Sequence, residues 1–335
     1  MDQVDEDYCD DINVISQDPN DMIIIDDLFL KFESMSGAIL NRSDKTKIMG
    51  LGGWRNKQIW PLSWVKVVEE LKIFGFQITP LYARIISRCW DELLKGLTKC
   101  FISWRIRILP TLRMRALVII IFATSKIWYK AQAIPLPHKY TLLIEKQIRI
   151  FLWQGKLEKL ALDEVKHTPD MGGLAIPCVE SKAEALFIKE SCRMIQFSNM
   201  SSYKHIKYWI GQVIGNMFVD MKNGPHPVSI PPYYRHMANL LKEANKRELF
   251  DVDSLKSVTA KSIYEDFTTT FPTPKVVNKL PNEMPWNLIW KRLNSNVFES
   301  QVIEIMFLLI HDIIPNRQRL FRMGKTNHPF CLSEQ

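Results

Sequence analysis

The spacing of apolar residues over the first 80 positions predicts short strands around one amphipathic helix. Segments 10–17, 45–52 and 71–78 have the extended or short apolar character of strands. Between the first two of these segments, Asp21 follows residues that favour a turn and a helix N-cap, and Gly37 lies at a position typical of a helix end. The apolar positions of this helix share one face: Met22, Ile25, Leu28, Phe29, Phe32 and Met35. The predicted order is therefore strand, helix, strand, strand.

After Thr79-Pro80 the pattern changes to long helical periodicity. The predicted helices cover 81–106, 111–133, 138–153, 179–197, 234–250, 259–268 and 299–313. Proline and glycine cluster at 222–232 and 271–285, which is typical of linkers. We predict an α+β fold class with four regions: a small strand–helix–strands part at 1–79, helical regions at 80–200 and 286–335, and a helical and linker region at 201–285.

Composition is that of an ordinary folded protein, with 47% hydrophobic and 24% charged residues in 335. No secretory leader is apparent, and the longest strongly apolar run, 116–123, is far below the roughly 20 residues that span a bilayer. We therefore expect an intracellular protein, nuclear and/or cytoplasmic, that has no membrane partner. The six cysteines form no CxxC pair, so we expect reduced thiols and no complete zinc site.

Charge is distributed unevenly along the chain. Residues 1–44 carry a net charge of −10, residues 45–160 carry +15 and residues 161–335 carry +3. Seven of the ten tryptophans also lie in the basic segment. Bases interleaved with flat rings suit a surface that neutralises phosphates and stacks against nucleobases. The alternative stays open, because tryptophans at helical spacing are commonly core residues and basic faces are commonly only solvated.

The chain has two adjacent carboxylates near its start, in the string Tyr8-Cys9-Asp10-Asp11. A strand–turn–strand with carboxylates at its tip can hold hard divalent cations, which prefer oxygen ligands. Two such ions support nucleotidyl transfer, provided that another strand supplies a further carboxylate. Alone, the string is equally typical of a solvated acidic segment.

Several ordered motifs together carry a resemblance to a known family. The acidic turn is followed by LKFESMSGAILN (30–41), KTKIMGLG (45–52) and LKIFGFQI (71–78). Further on come segments 102–119, 125–137, 149–156, 172–186, 284–293 and 307–325. This series resembles the C-terminal part of the reverse transcriptase of non-LTR (LINE-type) retrotransposons: the second half of the palm, the thumb, and the start of the zinc-knuckle region.

The resemblance implies an RNA-directed DNA polymerase lineage whose partners are an RNA template and a DNA primer or target. It implies Mg²⁺ on Asp10 and Asp11, no small-molecule cofactor, and a primer grip at Phe74, Gly75, Phe76 and Gln77. Together with the charge pattern, it assigns a nucleic-acid surface to fourteen bases: Lys45, Lys47, Arg84, Arg88, Lys95, Lys99, Arg105, Arg107, Arg113, Arg115, Lys126, Lys130, Arg149 and Lys156. Within this set, 84, 88, 95 and 99 recur on one helical face.

The sequence also departs from the family pattern. The first half of the palm, with the other metal-binding aspartate, is not among these residues, and the acids of 4–7 stand where the family prefers apolar residues. Cys9 replaces the usual alanine, and only Cys331 matches a ligand of the zinc knuckle. We therefore expect Mg²⁺ to be held only if the missing palm half is supplied, and this chain alone to be inactive. The alternatives are a non-enzymatic nucleic-acid-binding remnant and a retrotransposon fragment without a selected role.

Two further motifs have structural alternatives. Gly172-Gly173 is explained as well by a turn between helices as by a functional role. His311 follows an apolar run, and we interpret it as a core or surface histidine of a helix.

Overall fold

A computed structural model describes residues 6–8, 11–42, 45–57, 59–107, 109–156, 158, 160–249, 258–269, 272–279, 284–295, 298–314 and 317–329. This part of the chain is mainly helical, with a few short strands. The chain divides into two compact units, Met1–Glu92 and Leu93–Gln335. Helix α2, Tyr82–Arg105, contains the division. The α+β class with a small strand-containing part and many helices is thereby confirmed.

Among its described residues, the first unit has three separate two-stranded sheets. Strands β1 (Glu6–Tyr8) and β2 (Asp11–Asn13) are antiparallel, as are β5 (Leu71–Ile73) and β6 (Phe76–Ile78). Strand β3 (Lys47–Ile48) pairs in parallel with β4 (Lys66–Val67). The strands predicted around 45–52 and 71–78 are confirmed. Strand β4 was not predicted, since two residues are too short to show a period.

Helix α1, Asp21–Ser36, is also in the first unit and matches its predicted bounds. Gly37 ends it at a φ of 73°, where its N–H donates to the carbonyl of Glu33 at 2.9 Å. A left-handed residue at this position costs glycine little, because glycine has no Cβ. Apolar side chains of α1 also lie outside the predicted face, as Ile23 and Leu30 do, and the helix has no buried residue.

The second unit is helical. Its helices after α2 are α3 (Leu112–Val118), α4 (Thr124–Ala133), α5 (His138–Leu152), α6 (Leu162–Lys166), α7 (Val179–Gln196), α8 (Ser201–Ile214), α9 (Pro232–Lys246), α10 (Ala260–Thr268), α11 (Lys275–Lys279), α12 (Trp286–Leu293), α13 (Ser300–Ile310) and α14 (Arg317–Arg322). The long helices predicted from periodicity are present. A π-helical turn, Ile119–Ala123, joins α3 to α4 where one uninterrupted helix was predicted.

One hydrophobic core of the second unit is built from α7, α8, α9 and α10. Its fully buried side chains include Ile188, Ile214, Leu241 and Ile263. Burial of this kind is the main favourable term in folding, at about 25 cal/mol per Å² of apolar surface. Within the described residues, no helix is both long and apolar enough to cross a membrane.

Candidate nucleic-acid interface

The predicted catalytic turn falls between strands β1 and β2. These strands are antiparallel, and Tyr8 pairs with Asp11. Cys9, Asp10 and the side chain of Asp11 lie outside the described residues. Asp10 and Asp11 as metal ligands stay a prediction.

The predicted primer grip is the β5–β6 hairpin. Ile73 pairs with Phe76, which leaves Phe74 and Gly75 as a two-residue turn with φ of 48° and 78°. Positive φ at both positions gives the turn the backbone that matches strand twist, but it strains a residue with a bulky side chain. A strained aromatic at a hairpin tip is a typical sign of a functional position.

Polar contacts attach this hairpin to the beginning of α2. The N–H of Gln77 donates to Sγ of Cys89 at 3.3 Å, and Lys72 Nζ lies 2.7 Å from Glu92 Oε1. Arg88 pairs with Glu70 at 3.0 Å just before β5. These contacts involve residues both before and after the turn. The tip of the hairpin therefore has a defined position relative to the first turns of α2.

Most of the bases assigned to the surface are exposed in the unit to which they belong. Arg84 and Arg88 lie one helical turn apart in the segment of α2 that belongs to the first unit. Lys95 and Lys99 lie one turn apart in the segment that belongs to the second unit. The exposed set is Lys45, Lys47, Arg84, Arg88, Lys95, Lys99, Arg105, Arg107, Lys126 and Lys156; Lys130 and Arg149 are half-buried. Their contact with nucleic acid stays a prediction.

Arg113 and Arg115 differ from the rest of the set, because the fold itself uses their guanidinium groups. Arg115 is 9% exposed, and its Nη1 donates to the carbonyl of Leu109 at 3.2 Å. Arg113 donates to the carbonyl of Leu293 and to the side chain of Asn294. Burial lowers the pKa of both groups, and the charge of Glu304 opposes that shift. We therefore remove both residues from the surface that the sequence predicted.

The tryptophans of the basic segment divide between core and surface. Trp90 and Trp153 are buried, as the core alternative expected. Trp54 is 43% exposed, with Lys57 Nζ 4.7 Å from the centre of its ring. The ring of Trp104 lies 4.8 Å from that of Phe122 and has a guanidinium, that of Arg107, 4.5 Å from its centre. The tryptophans of the basic segment therefore include both core residues and a few rings that are accessible to solvent.

Gly172 and Gly173 have a structural explanation. A Cβ at Gly172 would lie 2.4 Å from the ring of Trp290, and one at Gly173 would lie 1.9 Å from the carbonyl of His167. His311 is 7% exposed, and its Nε2 lies 2.8 Å from the carbonyl oxygen of Gly172. These glycines let two segments approach closely, and the interpretation of His311 as a satisfied core histidine is confirmed.

The described residues contain no cluster of three or more histidines, cysteines, aspartates or glutamates that could hold a metal ion. Asp10 and Cys331 lie outside the described residues.

One charged surface was missed by the reasoning from sequence. The outer face of α9 carries Arg235, Asn239, Lys242 and Lys246, all exposed. Their spacing of four, three and four residues was visible in the sequence and is typical of one helical face. It was overlooked because residues 161–335 have a net charge of only +3 and residues 195–280 resemble the family least.

Comparison with known proteins does not extend this picture. No protein-family model matches the chain, and no curated protein sequence matches it significantly. The resemblance to reverse transcriptases therefore depends on the ordered motifs of the sequence itself.

Proposed function

We propose that this chain is the C-terminal part of an RNA-directed DNA polymerase of a non-LTR retrotransposon, and that it binds template–primer nucleic acid. The observation that carries the proposal is the order of elements in the first unit: an acidic hairpin, a helix ending at glycine, and a strained hairpin attached to a long basic helix. The family motifs occur in the same order.

The proposal gives each element of the first unit a role. The β1–β2 tip presents Asp10 and Asp11 as ligands of Mg²⁺, and the metal ions would activate the primer 3′-hydroxyl and stabilise the leaving pyrophosphate. The Phe74–Gln77 turn holds the end of the primer, and the exposed bases of α2 neutralise phosphates of the duplex. Since two-metal transfer needs carboxylates from a second strand, the proposal expects no activity from these 335 residues alone.

Primer extension tests the catalytic part of the proposal. The purified chain, supplied with an RNA template, a DNA primer, deoxynucleotides and Mg²⁺, is expected to incorporate nothing. Mixed with a polypeptide that supplies the first half of a palm, it is expected to extend the primer, and Asp10→Ala is expected to abolish that extension. Extension by the chain alone that Asp10→Ala removes would contradict the expected inactivity, and extension by the mixture that survives Asp10→Ala would contradict the assigned metal pair.

A second candidate function, nucleic-acid binding without catalysis, is favoured by the exposure of the α2 bases. It predicts the same affinity for a hybrid duplex and no extension even with a palm half present. Binding without extension in the mixture would therefore select this candidate. If the mixture neither binds the hybrid duplex nor extends the primer, both candidate functions are excluded.

A further inference from the structure

The outer face of α9 is a straight polar and basic stripe. On its inner side the helix buries Met237, Ala238, Leu240, Leu241 and Ala244 in the core. The exposed side chains of Arg235, Asn239, Lys242 and Lys246 follow one another at intervals of four, three and four residues. Arg235 and Lys246 are therefore about 16 Å apart along the helix axis, at 1.5 Å per residue. We call these four residues the α9 stripe.

The two lysines of the α9 stripe have uncompensated charge. Across the described part of the chain, neither Lys242 nor Lys246 makes an ion pair or a side-chain hydrogen bond. Arg235 donates one hydrogen bond, from Nη2 to the carbonyl of Ile230 at 3.1 Å, and keeps its other donors. Like charges four residues apart destabilise a helix slightly, so an anionic ligand along the stripe would relieve this repulsion.

A shallow depression, open to solvent, lies on the same face and is lined by Asn239, Lys242, Glu243, Lys246 and Arg247. The charge of Arg247 is compensated within the protein, because its guanidinium lies 3.6 Å from the carboxylate of Glu243 and 3.5 Å from that of Asp266. The two lysines supply the remaining positive charge.

An exposed aromatic ring on α8 is connected to α9 through two ring contacts. Tyr208 of α8 is 48% exposed and meets Trp209 edge to face at 4.9 Å. Trp209 stacks on Tyr234 at 6.1 Å, and Tyr234 immediately precedes Arg235 in α9. Cations that follow a backbone, together with an exposed ring, form the combination that binds unpaired nucleotides.

We propose that the α9 stripe and Tyr208 form a binding site for single-stranded nucleic acid. Arg235, Lys242 and Lys246 contact successive phosphates, Asn239 donates from its amide, and a base stacks on Tyr208. The site contacts the backbone and ring faces, so it binds without reading sequence. The inference does not rest on the proposed polymerase lineage or on the bases of α2, because all its evidence lies on α8 and α9.

The test measures fluorescence anisotropy of a labelled oligouridine 20-mer with the full chain across a salt series. Arg235→Gln/Lys242→Gln/Lys246→Gln is expected to weaken binding at least tenfold at low salt. The log–log salt slope should become shallower by about 2, since each phosphate contact on a single strand contributes about 0.7. Tyr208→Ala is expected to weaken binding about tenfold with no change in slope.

Two controls separate a specific site from general charge. Lys189→Gln/Lys291→Gln/Lys325→Gln removes the same charge from other exposed positions of the second unit and is expected to retain full affinity. Lys242→Arg/Lys246→Arg keeps the charge of the stripe and is expected to bind like the unchanged protein. Equal losses in the stripe and control variants would overturn the inference, as would a polyglutamate of equal length that competes as well as unlabelled oligouridine.

The same measurements distinguish this site from the α2 surface. Arg84→Gln/Arg88→Gln/Lys95→Gln is expected to weaken binding of an RNA–DNA hybrid and to leave oligouridine affinity within twofold. If hybrid binding is unchanged in that variant while the stripe variant still loses oligouridine, the proposed function fails and this inference stands. If the α2 variant alone loses oligouridine, the inference is overturned.

Discussion

The two units bury their apolar side chains to very different extents. Helices α1 and α9 have nearly the same length, 16 and 15 residues. Helix α9 has one apolar face, whereas α1 carries Ile23 and Leu30 outside the apolar face that the sequence predicted. In α9 that face includes Leu241, which is fully buried, whereas in α1 Leu28 and Met35 are 53% and 87% exposed. A periodic apolar pattern therefore predicts which face of a helix can be buried, and says nothing about whether anything covers it.

Polar contacts hold the first unit where apolar burial is small. Arg42 bridges Glu33 and Asp26 at 2.8 and 3.1 Å, and its guanidinium lies 5.5 Å from the centre of the Trp64 ring. The hydrogen bond from the N–H of Leu40 and the guanidinium of Arg42 lower the pKa of Glu33. Since ion pairs that stay partly accessible to solvent contribute less to stability than a buried apolar core, we expect the first unit to open more readily than the second.

Truncating one leucine in each helix has the largest expected effect. Leu241→Ala should lower the free energy of unfolding of the second unit by about 2–5 kcal/mol, because it removes buried methyl groups and leaves a cavity. Leu28→Ala should cost less than about 0.5 kcal/mol, as expected for an exposed site. Chemical denaturation followed by circular dichroism measures both. Equal losses would show that α1 is covered after all.

Two glycines with left-handed backbones provide the next contrast. Gly172 and Gly37 have φ of 83° and 73°, but a Cβ at Gly37 would meet no atom within 4 Å. Gly37→Ala should therefore cost only the backbone strain, about 1 kcal/mol. Gly172→Ala adds an overlap with Trp290 and should cost about 3 kcal/mol. Thermal unfolding of both variants decides; similar shifts in Tm would contradict the close packing at Gly172.

The carboxyl group of Glu184 in α7 should make the second unit sensitive to pH. The pKa of Glu184 is raised to about 7, mainly by burial and then by the charges of Glu180 and Glu243, while the charge of Arg247 opposes the shift. Between its usual pKa of 4.5 and about 7, the folded state holds a proton that the unfolded state has lost, so stability falls as pH rises through this range.

Glu184→Gln removes that dependence. It should stabilise the protein by about 1–2 kcal/mol at pH 8 and leave stability at pH 4 unchanged. Denaturation at both pH values measures the effect, and Glu265→Gln, an exposed carboxylate on α10, is the matched control. A gain of the same size at pH 4 would contradict a titrating Glu184.

The smallest expected effect concerns the tip of the β5–β6 hairpin. Phe74→Asn should reduce affinity for a hybrid duplex several-fold while leaving the stability of the hairpin nearly unchanged. Asparagine adopts the left-handed backbone readily, which offsets loss of the half-buried ring. Phe74→Tyr keeps the ring and should bind normally. An asparagine variant that binds as tightly as the unchanged chain would remove Phe74 from the primer grip.

Local features were predictable, and features set by distant contacts were not. The end of α1 at Gly37 and the turn at Phe74-Gly75 follow from residues adjacent in sequence. Most long helices likewise follow from the local periodicity of apolar residues. Helix α8 was missed although its buried face is Ile206, Ile210 and Ile214, since its neighbours in sequence gave no clear boundary. The use of Arg113 inside the fold depends on partners about 180 residues away, since its guanidinium donates to the carbonyl of Leu293 and to the side chain of Asn294. No local pattern reports such a contact.

We propose that the exposed bases of α2 bind a template–primer duplex, and a salt series with an RNA–DNA hybrid is the decisive experiment. Binding should weaken steeply with salt, with a log–log slope of about −0.9 per phosphate contact on B-form DNA. In Arg84→Gln/Arg88→Gln/Lys95→Gln, affinity should fall for all sequences alike and the slope should become shallower, while Lys189→Gln/Lys291→Gln/Lys325→Gln behaves like the unchanged chain. Absence of affinity at low salt, or affinity unchanged in the α2 variant, would contradict it.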